Sequence, residues 1–330
     1  MSGRTTLSPP KQPSGPPPGP EAPSYGRLRG LSIAATATTF LLIGIGGLVR
    51  ATGSGLGCKG WPKCSADRWL PPLEYHPIIE YTHRFTAFLD IVLVSLLAVV
   101  VWRRYSQIRR VKVPATAAVF LVLFQAVLGG IVVKGELHAL LVSAHLATAM
   151  VFAGVLVYVT VAAYTPDARI RGRIDSLTQL ARVAAAGTLV LIAVGAYVRG
   201  EGAGLVFPDW PLMDGRLVPR ITSAPAGVHF AHRVLALVVG AIVVMLAVRA
   251  RRERATRGPV AVLAVAAALL FAMQVAIGAA NVWSKLASAA VVAHVAVASL
   301  AWGAVVATAV TARAVPGPVD GSPARPEVSS

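Results

Sequence analysis

Beyond residue 30 the chain is a succession of long apolar runs separated by short polar connections. The runs lie near 31–50, 81–102, 113–133, 142–164, 178–198, 226–248, 259–280 and 287–312. Each is long enough to cross a hydrocarbon layer of ~30 Å as a helix rising ~1.5 Å per residue. Their apolarity is continuous, whereas the strands of a transmembrane barrel would be ~10 residues long with a dyad pattern. Eight transmembrane helices are therefore predicted. Residues 1–26 read differently, with eight prolines among Ser and Gly and no apolar core. Such a segment cannot offset the entropy of ordering, so a disordered Pro-rich tail without a cleavable signal peptide is expected there, and a second short tail over 315–330.

Composition agrees with this pattern. A chain of 330 residues that is 55% hydrophobic and 14% charged, with a mean hydropathy of +0.67, has too little polar surface for a soluble globule. The net charge of +17 would suit a nucleic-acid binder, but no nucleic-acid motif accompanies it and the basic residues cluster between apolar runs. Connections 103–112, 165–177 and 249–258 carry 13 Lys and Arg in 33 residues, against 8 in 70 for 51–79, 134–141, 199–225 and 281–286. The positive-inside rule then places both termini in the cytoplasm and the two long loops, 51–79 and 199–225, outside a cell membrane.

Sliding the chain against itself by 149 residues reveals a repeat. Gly46, Val49, Arg50, Gly53, Gly55, Leu56, Trp61 and Pro62 fall on Gly195, Val198, Arg199, Gly202, Gly204, Leu205, Trp210 and Pro211. His83-Arg84 falls on His232-Arg233, Gln125 on Gln274, Gly129 on Gly278 and His145 on His294. Apolar composition would match Ala, Val and Leu by chance, but not Trp, Gln, His and Arg in one register. The expected fold is all-α: two tandem four-helix bundles, over 27–168 and 175–314, related by a pseudo-twofold axis along the membrane normal.

Four of the seven histidines, His83, His145, His232 and His294, obey the shift, while His76, His138 and His229 do not. Each of the four lies a turn or two inside a predicted helix that starts at one face, so each half offers one imidazole on its second helix and one on its fourth. A single intramembrane His often serves as polar glue between helices. Two pairs at matched depth point to a cofactor, and two facing imidazoles form the usual six-coordinate heme site. Arg50, Arg84, Arg199 and Arg233, at the same ends of the helices, would suit the propionates of such a group or would snorkel to headgroups.

The repeat breaks in three places. Glu80, one turn before His83, falls on His229, so only the first half has an acid beside its pair, suited to general-base or charge-stabilising work or to holding loop backbone. Cys58 and Cys64 fall on Phe207 and Met213; an external pair can form a disulfide, which could stiffen the loop or cycle with the thiols. Asp90 lies deeper on the face of His83, where a proton path is the one role it suggests.

Together, the E-x-x-H-R opening of the second helix, the C-x5-C pair, the repeat and the histidines on helices two, four, six and eight resemble the heme A synthase family over roughly residues 30–312. The resemblance implies an oxidoreductase that turns a porphyrin methyl group of heme O into the formyl group of heme A for cytochrome c oxidase. It implies that His83 and His145 hold the substrate heme with Glu80 as the catalytic carboxylate, that His232 and His294 ligate a resident heme b, and that Cys58 and Cys64 are the family's outer-loop pair. Heme O synthase (protoheme farnesyltransferase) and cytochrome c oxidase assembly factors become the expected partners. The Pro-rich tail, and the lack of a second Cys pair in 199–225, depart from the family's common pattern. Two rivals stand beside this reading. A bis-heme cytochrome passing electrons from a quinone would use the same histidines without Glu80, and a repeat-built transporter would want broken helices and midplane polar residues.

Overall fold

A computed structural model describes residues 25–65, 67–166, 168–170 and 174–315. It contains helices α1 (Gly26–Ala51), α2 (Tyr75–Arg104), α3 (Arg109–Lys134), α4 (Ala139–Tyr164), α5 (Ser176–Gly200), α6 (Ala224–Arg252), α7 (Gly258–Trp283) and α8 (Ser288–Arg313). All eight are long and apolar enough to cross a membrane. Among the described residues the departure from all-α is a two-residue antiparallel pair, β1 (Arg169–Ile170) with β2 (Ala314–Val315). It ties the link between the halves to the end of α8. Gly26 already belongs to α1 and Val315 to β2, so both expected tails lose residues to regular elements; 1–24 and 316–330 lie outside the described residues.

The helices run past the apolar stretches that predict them. α2 begins at Tyr75 rather than 81, with Pro77 in its first turn, where a missing N–H costs nothing because it would have no helical partner. At the opposite end, Arg103 and Arg104 close α2, and Arg249, Arg251 and Arg252 close α6, placing cations against the negative ends of the helix dipoles. Asp175 caps α5 by accepting from the Thr178 N–H at 2.8 Å. Eight crossings bring Gly26 and Arg313 out on one face, here the tail face; the two long loops share the other, the loop face.

Within each half the helices pack in a ring, α1–α2–α3–α4 and α5–α6–α7–α8, closed by α1 on α4 and α5 on α8. The bundles have separate cores, one around Leu97, Val111 and Leu156 and the other around Val239, Leu246 and Ala264. They meet where α1 packs on α8 and α4 on α5 and α8. There the Trp302 indole N–H donates to the Met150 carbonyl at 2.7 Å. Gly154 and Gly303, themselves repeat partners, allow this approach: a Cβ at Gly303 would sit 2.7 Å from the Phe40 ring. Leu41, Phe120, Leu237 and Leu269 point outward, as lipid-facing side chains do.

The 149-residue register recurs in the backbone. Gly53 and Gly202 adopt left-handed φ of 67° and 68° and lead into matching 3-10 turns, Ser54–Leu56 and Ala203–Leu205. Leu137 then lies over Gly55, and Leu286 over Gly204.

Candidate functional site

Each of the four register-matched imidazoles stands against a glycine of the preceding helix. A Cβ at Gly46 in α1 would lie 3.2 Å from His83 Cε1 in α2, and one at Gly195 in α5 would lie 2.8 Å from His232 Cε1 in α6. Cβ atoms at Gly129 in α3 and Gly278 in α7 would lie 3.4 Å from the rings of His145 in α4 and His294 in α8. A mid-helix glycine costs ~1 kcal/mol relative to alanine, so four in one register mark space that the rings need. His83 and His145 interact electrostatically across the first bundle, as His232 and His294 do across the second. All four rings are half-buried. The Nδ1 atoms of His232 and His294 are buried with no hydrogen-bond partner, an arrangement that costs ~1–3 kcal/mol where nothing compensates.

Two facing imidazoles per bundle are the donor set that a six-coordinate heme takes from its protein. Among the described residues no three His, Cys, Asp or Glu side chains converge as a metal ion's ligand set would. One imidazole pair per half, with a glycine clearing space beside each ring, fits a heme in each half.

A glutamine orients one of these rings. The Gln125 amide lies 3.0 Å from His145 Nδ1 and 2.5 Å from Thr148 Oγ1. Its oxygen accepts from Thr148 Oγ1 and from the Ala149 N–H at 3.1 Å, and its nitrogen donates to His145 Nδ1 and to the His145 carbonyl at 3.2 Å, so the amide fixes that ring in place. Its repeat partner Gln274 has a buried Oε1 without a donor, and His294 a buried Nδ1 without an acceptor. Sequence reasoning placed Gln125, Gln274 and the four glycines in the repeat but gave them no function. The signal was their position in the same register as the histidines.

The first long loop is fastened to α2 by the residues that broke the repeat. Cys58 and Cys64 form a disulfide, and both are buried. Glu80, 3% exposed, accepts the Cys58 N–H on Oε2 at 2.7 Å and the Arg84 guanidinium on Oε1 at 2.5 Å. Arg84 also donates to the Gly60 and Lys63 carbonyls at 2.7 and 3.2 Å. Gly57 packs on the start of α2 so closely that a Cβ would lie 2.6 Å from the His76 carbonyl.

The second loop takes the same path with other side chains. Phe207 and Met213 fill the places of the two cysteines, packed with Ala226 and Phe230. His229, in the place of Glu80, accepts from Arg233 Nε at 3.1 Å on its Nε2. Arg233 donates to the Asp209 and Leu212 carbonyls at 3.1 and 2.9 Å, the counterparts of Gly60 and Lys63. The Asp209 side chain accepts the N–H groups of Gly215 and Asp214, both at 2.8 Å, and these bonds, Gly215's foremost, hold its carboxyl below the usual carboxylate range.

The four arginines therefore divide. Arg84 and Arg233, expected beside propionates, are turned to loop carbonyls. Arg50 and Arg199 close α1 and α5 at the loop face, and each has a buried Nε with no partner. Asp90 is apart from all of these: fully buried, it lies 2.9 and 3.1 Å from the Thr39 hydroxyl, which is also 3.0 Å from the Ala35 carbonyl. The Thr39 hydroxyl is thus shared between its own helix and the Asp90 carboxyl.

Eight spans in two like bundles, each with an imidazole pair under a fastened loop, define a multi-pass membrane protein built on a duplicated four-helix unit. Comparison with known proteins gives the particular family. The model of the family described as "Cytochrome oxidase assembly protein" matches residues 29–76 and 73–306. The chain is 32% identical over 277 residues to a heme A synthase of Bacillus licheniformis, covering 81% of this chain and 90% of that protein. It is 33% identical over 219 residues to one from Halalkalibacterium halodurans, covering 62% and 71%. A third, from Alkalihalophilus pseudofirmus, is 29% identical over 65% of this chain and 73% of its own. The chain belongs to the cytochrome oxidase assembly protein family.

Proposed function

We propose that this chain is a heme A synthase, a membrane oxidoreductase that converts the porphyrin methyl group of heme O to the formyl group of heme A for cytochrome c oxidase. The observation that carries the reading is the pair of register-matched imidazole sites with a carboxylate beside only one of them, in a chain whose relatives are heme A synthases. His83 and His145 hold the substrate heme, and His232 and His294 hold a resident heme b. Arg50 and Arg199, the guanidiniums with unpartnered nitrogens, are the propionate partners.

Turning a methyl into a formyl group removes four electrons and adds one oxygen atom; a bound heme would pass those electrons on to an external acceptor, and the oxygen would come from O2 or water. The protein's part is to orient and to manage charge. Gln125 fixes the ring of His145. Glu80 keeps lone pairs free beyond its bonds to Cys58 and Arg84, so it can take a proton or stabilise positive charge developing next to His83. The disulfide loop covers that chamber. The cationic tail face is cytoplasmic by the positive-inside rule, so both sites lie toward the outer face.

One observation favours the rival electron carrier: both Glu80 oxygens already have partners, the Cys58 N–H of the loop and Arg84 of its own helix. Heme extraction from the purified protein and identification by mass decides between them. Heme O, its hydroxylated form and heme A beside heme b are expected. Heme b alone, in cells that make heme O, would overturn the enzyme.

A further inference from the structure

On the tail face, far from both imidazole pairs, the bundles leave a cleft of about 330 Å³ between α4, α5 and α8. Its rim carries Arg313, Arg182 and Thr178; Tyr158 enters from the first bundle, and Ala185 and Val306 lie deeper. Arg313 has a buried Nε with no hydrogen-bond partner, and no carboxylate lines the cleft among the described residues.

The repeat explains why the space exists. At the corresponding place in the first half, Arg29 stacks on the Tyr164 ring at 5.0 Å and its Nε donates to the Ala163 carbonyl at 3.2 Å. In the second half Arg29 becomes Thr178, whose hydroxyl reaches the equivalent Ala312 carbonyl at 3.3 Å, and Tyr164 becomes Arg313. The first half fills its site with a cation and its aromatic partner. The second half replaces the long side chain with a short one and the aromatic with an unpaired cation.

We propose that this cleft binds one anionic phospholipid, with the headgroup phosphodiester on Arg313 and Arg182 and an acyl chain along Ala185 and Val306. A cationic rim above an apolar floor, at the depth where helices leave the membrane, matches that ligand in charge and polarity. A free phosphate would satisfy the guanidiniums but leave the floor uncovered. The lipid would wedge between the bundles, touching helices of both.

The test uses the full chain, purified in detergent, stripped of lipid and titrated with phosphatidylglycerol or phosphatidylcholine under native mass spectrometry. One phosphatidylglycerol should bind in preference to phosphatidylcholine, and millimolar inorganic phosphate should not displace it. Arg182→Gln with Arg313→Gln should weaken it by roughly tenfold or more. Thr178→Arg with Arg313→Tyr, which rebuilds the first half's stacked pair, should abolish it with a folded protein still in hand. Equal retention of the two lipids, unchanged affinity in both double variants, or displacement by phosphate would each overturn the proposal. So would phosphatidylglycerol binding that appears only after removal of residues 316–330, because the chain's own acidic tail would then be the occupant.

Discussion

Over the first bundle, the connection from α1 to α2 is held by a disulfide and a carboxylate; over the second, the equivalent connection is held by Phe207, Met213 and an imidazole. The path itself is common to both. Gly53 and Gly202 make the same left-handed turn, and Arg84 and Arg233 donate to carbonyls at matching positions. What duplicates is therefore the scaffold, and the arginine belongs to it. What diverges is the arginine's partner and the plug above it. A loop that could have been held by apolar packing on both sides is held by a disulfide and a carboxylate only over the proposed reaction chamber.

The strongest way to break this comparison is to remove one imidazole at a time. His83→Ala or His145→Ala should abolish heme A formation and leave the heme b spectrum, whereas His232→Ala or His294→Ala should remove that spectrum. Loss of heme b from the first-half variants alone would reverse the assignment. Next in size, Glu80→Gln should slow heme A formation by ~100-fold or more at unchanged heme b content, while His229→Gln in the same assay stays within a few-fold of the parent. Equal effects from the two would make this position a loop fastener and nothing more.

Stability separates the plugs. Phe207→Ala should cost ~3–5 kcal/mol, since it empties a fully buried aromatic site. Cys58→Ser with Cys64→Ser should cost about 2 kcal/mol, the loop-closure entropy of so short a ring. Thermal unfolding in detergent measures both. A double Ser variant of unchanged stability and no activity would give the bridge a redox role. The smallest effect is one of pH. Asp209 has a depressed carboxyl pKa, so its hold on Asp214 and Gly215 is complete above the ordinary range near 4 and is lost as pH falls through the depressed folded value. Protease cleavage at 209–216 should therefore rise in acid while the disulfide loop stays resistant.

The spans, the repeat and the four histidines were legible in the chain because duplication states every landmark twice, and a coincidence of Trp, Gln and His in one register has no compositional cause. Partnerships were not. Whether Arg84 reaches a ligand or the Gly60 carbonyl depends on a loop path that no spacing encodes. The glycine behind each imidazole belongs to a different helix, so its meaning appears only when helix neighbours are known. The cleft at Arg313 needed the faces on which the bundles meet, and α2 begins earlier than its apolar run because its first turn packs on a loop.

Each of the four glycine contacts of His83, His145, His232 and His294 joins an odd helix to the even helix that follows it, so each of these imidazoles is braced inside a single helical hairpin. A hairpin is also the unit in which spans enter a membrane during synthesis. His145 arrives with the second hairpin and His294 with the fourth, so a nascent chain can complete its first pair halfway through synthesis, but its second only when the last helix has left the ribosome. A cofactor held by His232 and His294 would then certify that the whole polypeptide has been inserted in the correct order.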